Sequence, residues 1–215
     1  MKGEGLSAIR DAYLAAAESA ARLLADPAVA AVWDRPSALP EFSVRGLAGH
    51  LGAQVLHVSR ALAAEVPDGV PLTVAEFYAG ATAFEADVDD EISVRIRQGG
   101  EAAAAQGAQA LVAEVESTVA QQRSALAAEP AHRIVAFFTG KLLLDDFLLT
   151  RLMEIVVHSD DLAVSANITT PPLPPQVFEP VLDLLARLAV ARHGQTAVLR
   201  ALSRAERAPE TIAGI

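Results

Sequence analysis

The chain has 215 residues, enough for one compact domain; 52% are hydrophobic but only 5% aromatic, which favours a helical core of small and straight-chain side chains. A net charge of −10 argues against nucleic acid as a partner, because a phosphate backbone requires a basic face. The absence of cysteine excludes disulfides, thiolate metal ligands and a cysteine nucleophile of the protein's own.

The hydrophobic pattern has the period of an α-helix along most of the chain. Capping residues, glycines and prolines divide it into predicted helices at 5–25, 44–65, 74–98, 102–128, 145–165, 176–192 and 195–206. Ser43 and Thr73 are the predicted N-caps of the second and third helices. The pair Gly99-Gly100 is the predicted end of the third.

One short segment, residues 132–138, favours an extended conformation and is followed by a predicted turn at Thr139-Gly140. Long helices joined by short loops predict an all-α helical bundle. We expect residues 1–168 to form this bundle. Residues 169–215, which begin with a rigid proline-rich spacer, are expected to form a helical extension packed on it.

The second predicted helix carries a polar stripe beside its apolar face. His50, Gln54 and His57 recur there at helical spacing. Every third position from Gly46 to Gly52 is a glycine, although each glycine weakens a helix by about 1 kcal/mol relative to alanine. This cost indicates the close approach of a neighbouring backbone or of a ligand, and the sequence leaves both open.

The predicted helix at 145–165 is apolar almost all round, which is typical of a buried helix. Its one continuous polar stripe consists of Arg151, Glu154, His158 and Asp161. Glu154 and His158 are four residues apart and therefore lie on the same face. Asp161 could orient the His158 imidazole, and Arg151 could hold Glu154 or a substrate carboxylate.

Together, His50 from one helix and Glu154 and His158 from another would make a three-ligand site with an open position. Such a site suits a catalytic Zn²⁺ or a similar divalent ion. Spacing alone leaves other interpretations open: a Glu–His pair is common on solvated helix faces, and a lone histidine is often a hydrogen-bonded core residue.

Two segments carry a resemblance to a known family. WDRPSALPEFSVRGLAGHL (33–51) and RLMEIVVHSDDLAVS (151–165) resemble the mycothiol-dependent maleylpyruvate isomerase family of the DinB-like superfamily. The resemblance implies a DinB-like four-helix bundle with extra C-terminal helices. It also implies that His50, Glu154 and His158 bind a divalent metal, usually Zn²⁺, and that a mycothiol-like thiol is the cosubstrate. The Ala- and Arg-rich composition is compatible with an actinobacterial source.

The function expected from this resemblance is metal-dependent S-transfer or isomerisation, with a metal-activated thiolate as the nucleophile. Gln54, His57 and Arg151 are the candidate catalytic residues, and His57 could transfer protons. The tail at 191–212 resembles members that lack the family's separate C-terminal domain. A related thiol transfer, or another metal-assisted reaction, is therefore favoured over isomerisation of maleylpyruvate itself.

The alternative is a non-catalytic metal- or ligand-binding bundle, or a bundle in which the polar stripe is purely structural. The expected partners are a small-molecule thiol and an electrophilic substrate, and a homodimer is left open. No apolar run reaches the roughly 18 residues of a membrane span, and the N-terminus has no signal-peptide pattern. We therefore expect a cytoplasmic protein without membrane partners.

Overall fold

The computed structural model describes residues 7–80, 89–138 and 140–215, which form nine α-helices, a two-stranded hairpin and a short 3-10 turn. In chain order the helices are α1 (Ala8–Leu24), α2 (Pro27–Ala31), α3 (Val44–Ala63), α4 (Val74–Ala79), α5 (Glu91–Ala103), α6 (Ala108–Ala128), α7 (Leu144–Ala166), α8 (Pro175–His193) and α9 (Gln195–Ser203). The strands β1 (Ile134–Phe137) and β2 (Gly140–Leu143) lie between α6 and α7, and the 3-10 turn (Ala205–Arg207) follows α9.

The core of the fold is a four-helix bundle of α1, α3, α6 and α7. Helices α1 and α3 each pack against both α6 and α7, so that the apolar faces of all four meet in the middle. The largest fully buried side chains there are Tyr13, Leu47, Leu111, Phe147 and Leu152. The predicted all-α, DinB-like bundle is confirmed.

The C-terminal helices pack on the outside of this bundle. Helix α8 contacts α1 and α7, and α9 contacts α8. The division of the chain at residue 168 into a bundle and an extension stays a prediction. Across the described ranges, no helix combines the length and the apolar character that crossing a membrane requires.

Both predicted N-caps are observed. The Ser43 hydroxyl accepts a hydrogen bond from the Gly46 amide at 2.9 Å and starts α3. The Thr73 hydroxyl accepts from the Glu76 amide at 3.2 Å, and the Glu76 carboxylate accepts from the Thr73 amide at 2.8 Å. This reciprocal capping box starts α4.

The predicted helix at 74–98 and its end are wrong in the part that the structure describes. Helix α4 ends at Ala79 and α5 begins at Glu91, while residues 81–88 lie outside the described residues. Helix α5 also runs through Gly99 and Gly100 to Ala103, and α6 begins at Ala108 rather than at residue 102.

The physical reason is a close crossing of α3 and α5. A Cβ at Gly49 would overlap the carbonyl oxygen of Gly100, and a Cβ at Gly100 would overlap that of Gly46. Gly52 faces α6 instead, where a Cβ would lie 2.9 Å from Leu111 Cδ1. The glycines of α3 therefore allow neighbouring helices to pack closely against it. Gly100 lies inside α5 because only a hydrogen atom fits at the crossing.

The extended segment at 132–138 is confirmed as β1, but its continuation differs from the prediction. Gly140 opens a second strand, which pairs antiparallel with β1 from Phe137–Gly140 to Ile134–Leu143. Thr139, the other residue of the predicted turn, lies outside the described residues. This hairpin packs against α3 and α7 and leads directly into α7.

A buried arginine fastens α1 to the ends of two other helices. Arg10 is only 6% exposed, and its Nε donates to Asp145 in the first turn of α7 at 2.8 Å. Its Nη1 donates to the carbonyl oxygens of Leu126 and Glu129 at 2.8 and 2.7 Å, at the C-terminal end of α6. Because every one of these acceptors is a full or partial negative charge, the buried cation is well compensated.

We expect Gly100→Ala to lower the free energy of unfolding by about 1–3 kcal/mol, because the added methyl group would overlap the Gly46 carbonyl. The matched control is Gly99→Ala, where no atom lies within 4 Å of the added carbon. There alanine should raise the free energy of unfolding by about 0.5–1 kcal/mol. Urea unfolding followed by circular dichroism measures both, and equal effects at the two positions would contradict the close crossing.

Candidate metal centre

The side-by-side packing of α3 and α7 brings the three predicted ligands together. His158 Nε2 lies 3.2 Å from Glu154 Oε2, and His50 Nε2 lies 3.8 Å from the same oxygen. The imidazole rings of His50 and His158 meet edge to face, with 4.7 Å between their centroids. Residues far apart in the sequence thus share one site.

The geometry of these donors fits a divalent ion. One ligand atom from each of the three side chains lies within 4.8 Å of the other two. Donors bound to one Zn²⁺ at about 2.0–2.2 Å cannot lie more than roughly 4.4 Å apart, so small side-chain movements suffice. Two imidazole nitrogens and one carboxylate oxygen are the donor set of many catalytic zinc sites, and they leave a position open for a further ligand.

Asp161 holds His158 from the side opposite to Glu154. Asp161 Oδ2 lies 2.9 Å from His158 Nδ1, so the ring is fixed between two carboxylates. Burial works to lower the pKa of His158, but the hydrogen bonds to Asp161 and Glu154 outweigh it and raise the pKa to about 9. The predicted orienting contact of Asp161 is present in the structure.

The other two predicted ligands, His50 and Glu154, have pKa values below their usual range, for different reasons. Burial lowers the pKa of His50, so this ring is neutral at physiological pH. Burial works to raise the pKa of Glu154, but the hydrogen bond to His158 and the charge of Arg151 hold it well below its usual range. Glu154 is therefore a carboxylate, as metal ligation requires.

Gln54 contacts His50 directly, and Arg151 contacts Gln54. Gln54 Nε2 lies 3.0 Å from the His50 carbonyl oxygen and 3.2 Å from His50 Nε2. Gln54 Oε1 accepts a hydrogen bond from Arg151 Nη1 at 2.5 Å. From the sequence, Arg151 could hold Glu154 directly. Within the described residues, Glu154 instead pairs with His50 and His158. The buried guanidinium of Arg151 acts on the carboxylate only through space.

Sequence reasoning missed the aromatic support of Arg151. The guanidinium carbon lies 4.4 Å from the centre of the Phe137 ring and 5.6 Å from that of Phe147. Both distances are within the range of cation–π attraction. Phe147 precedes Arg151 by four residues, so helical spacing could have revealed it, whereas Phe137 comes from the hairpin.

His57 lies beside the centre rather than in it. Its ring packs edge to face against Phe137 at 5.4 Å, on the ring that also supports Arg151. Burial, with the nearby charge of Arg151, lowers the pKa of His57 to about 4. His57 is therefore neutral at pH 7 and can accept a proton.

We expect the metal-free protein to release about one proton for each divalent ion it binds below pH 9, because ligation displaces the proton of His158 Nε2. Metal affinity should then fall about tenfold for each pH unit below about pH 9. Calorimetric titrations in two buffers of different ionisation enthalpy count the protons. In Asp161→Asn, which removes one of the two carboxylates, the fall should begin at lower pH; an affinity independent of pH would contradict the assignment.

One comparison with known proteins assigns the chain to a family. No curated protein and no solved structure matches the chain significantly. The family described as mycothiol maleylpyruvate isomerase N-terminal domain matches residues 13–163. The match covers well over half of the chain and includes α3, most of α7 and all three predicted ligands. The chain therefore belongs to the mycothiol maleylpyruvate isomerase N-terminal domain family.

Proposed function

We propose that this protein is a divalent-metal-dependent enzyme that uses a low-molecular-weight thiol of the mycothiol type in S-transfer or isomerisation. The observation that carries the proposal is the convergence of His50, Glu154 and His158 in a chain of this family. Asp161 supports it, because an oriented imidazole is a common feature of protein metal sites.

A bound divalent ion would supply a Lewis acid that lowers the pKa of a thiol to the neutral range. Zn²⁺ is the metal we propose, since it accepts imidazole and carboxylate ligands in an incomplete shell. The chain has no cysteine, so the reacting sulfur must come with a small molecule. The electrophile that accepts the sulfur is the second substrate.

The exposure of the three ligands supports access by a small molecule. The side chains of His50 and His158 are each 16% exposed, and that of Glu154 is 12% exposed. These fractions mean that solvent reaches each donor while most of its surface is buried, and low hydration strengthens electrostatic interactions inside the site.

The neighbours of the donor set divide into two roles in this proposal. His57 is neutral at pH 7 because its pKa is about 4, so it can accept a proton there only as a weak base and has no imidazolium proton to donate. Gln54 and Arg151 present hydrogen-bond donors and a positive charge beside His50. Such an environment favours an anionic reactant over a neutral one.

We expect the purified protein to bind about one divalent ion per chain, and His158→Ala to weaken this binding by at least about 100-fold, because a ligand and its orienting pair are lost. His132→Ala is the matched control, since this histidine is exposed and distant in sequence from the ligands. Metal analysis and competition with a chelator measure the affinity. A folded wild-type protein that binds no divalent ion would contradict the proposal.

We expect the zinc-loaded protein to consume mycothiol in the presence of at least one electrophile from a panel of unsaturated acids and activated esters. His57→Gln should keep the metal and lower the rate, because it removes the proton acceptor. Thiol consumption and product mass spectrometry measure the reaction. Metal and thiol binding without any turnover would favour the non-catalytic alternative.

A further inference from the structure

Gln54 is an amide buried beside the metal centre, and its orientation is fixed by its neighbours. The residue is only 1% exposed, and its Oε1 accepts a hydrogen bond from Arg151 Nη1 at 2.5 Å. A guanidinium can donate but cannot accept. The end of the amide that faces Arg151 must therefore be the oxygen, and the end that faces His50 must be the NH₂ group.

This NH₂ group competes for the lone pair through which His50 would bind a metal. Gln54 Nε2 lies 3.2 Å from His50 Nε2, the ring nitrogen that also faces Glu154. A metal ion and an N–H group cannot share one lone pair. Ligation by His50 would therefore free one N–H of Gln54, while the other keeps the His50 carbonyl at 3.0 Å.

Arg151 prevents the Gln54 amide from rotating by a half-turn, which would otherwise place its oxygen beside His50. A half-turn would place the NH₂ group against the guanidinium, donor against donor. The guanidinium itself has little freedom, because Nε donates to the Thr150 hydroxyl at 3.1 Å and the group lies over the Phe137 ring. Arg151 is 5% exposed, so water cannot readily replace these contacts.

From these contacts we infer that Gln54, oriented by Arg151, donates a hydrogen bond to the anionic atom of the ligand that enters the centre. A buried donor without an acceptor is costly, and an anion beside His50 supplies the missing acceptor. The inference rests on the proposed function, in which this atom is the sulfur of a thiolate. Arg151 acts through Gln54 as a positioning residue, and its charge makes the amide a stronger donor.

The test uses the full chain loaded with Co²⁺, whose visible spectrum reports on ligand binding, and 2-mercaptoethanol as the probe thiol. We expect Gln54→Leu to bind Co²⁺ within about threefold of the wild-type affinity, because the three ligands remain. Its affinity for the thiol should fall about tenfold, the effect of one hydrogen bond to a charged group. Absorbance titrations measure both affinities.

Two further variants separate the roles of the amide and the guanidinium. Gln54→Glu keeps the shape and can pair with Arg151, so it should remain folded and bind the thiol more weakly than the wild type. Arg151→Met should also weaken thiol binding about tenfold, by freeing the amide to turn. In the Gln54→Leu background it should add clearly less than tenfold, because the part of its effect that passes through Gln54 is already lost.

The matched control is Gln122→Leu, which removes a buried amide from α6. Gln122 is also 1% exposed, and it binds the Tyr13 hydroxyl and the Val55 carbonyl oxygen at 2.8 Å each. This variant should be less stable to heat but bind the thiol within about threefold of the wild type, since the lost contacts lie in the core.

The outcomes distinguish this inference from the proposed function. A wild-type protein that binds no Co²⁺ overturns the proposed function, and one that binds Co²⁺ but no thiol overturns both. Wild-type thiol affinity in Gln54→Leu overturns the inference alone. Loss of Co²⁺ binding in both Gln54 variants also overturns it, because the amide would then support the ligands rather than the anion. Additive losses in the double variant overturn the role given to Arg151.

Discussion

A carboxylate buried in a helical bundle must be matched by positive or donating groups, and Glu154 imposes this requirement on its surroundings. His158 meets it from the same helix at 3.2 Å, and the neutral ring of His50 on α3 lies 3.8 Å from the same oxygen. The two helices must therefore lie side by side at one fixed offset. Asp161 fixes the ring of His158, and Arg151 adds a positive charge that acts on Glu154. The polar stripe of α7 thus consists of Glu154 and the residues that compensate its charge or fix those that do.

Two buried arginines of this fold illustrate how the partners of a cation determine its use. Arg10 has a carboxylate and several carbonyl oxygens at helix ends, so its charge is compensated within the scaffold. Arg151 has an amide oxygen, a hydroxyl and aromatic faces, which are neutral partners. The first arginine fastens helices, and the second has no carboxylate in direct contact among the described residues, so that its charge acts through space on Glu154. Burial alone would not have separated these roles.

Two of the three proposed ligands have a local signal in the sequence: Glu154 and His158 lie one helical turn apart on a helix that is otherwise apolar. The structure brings them together, and their role as ligands stays a prediction. His50 required the resemblance of its segment as well, since spacing cannot pair two helices. The run of α5 through Gly99 and Gly100 could not be predicted, because the glycines that receive Gly100 are on α3 and local propensity favours a helix end there. The contact of Arg151 with Phe137 could not be predicted for the same reason, because Phe137 lies in the hairpin rather than on α7.

The close crossing of α3 and α5 reaches the centre itself. A Cβ at Gly100 would lie 3.2 Å from the backbone nitrogen of His50, so α5 forms the wall directly behind this ligand. Glu154 and His158 come from α7 and share one rigid helix, whereas His50 is placed by the distance between α3 and its neighbours. The positions of Glu154 and His158 relative to each other are thus fixed by one helix, whereas the position of His50 depends on how the helices pack. The distance from His50 to Glu154 and His158 is therefore controlled by the spacing of α3, α5 and α7, and the glycine contact keeps α3 and α5 close together.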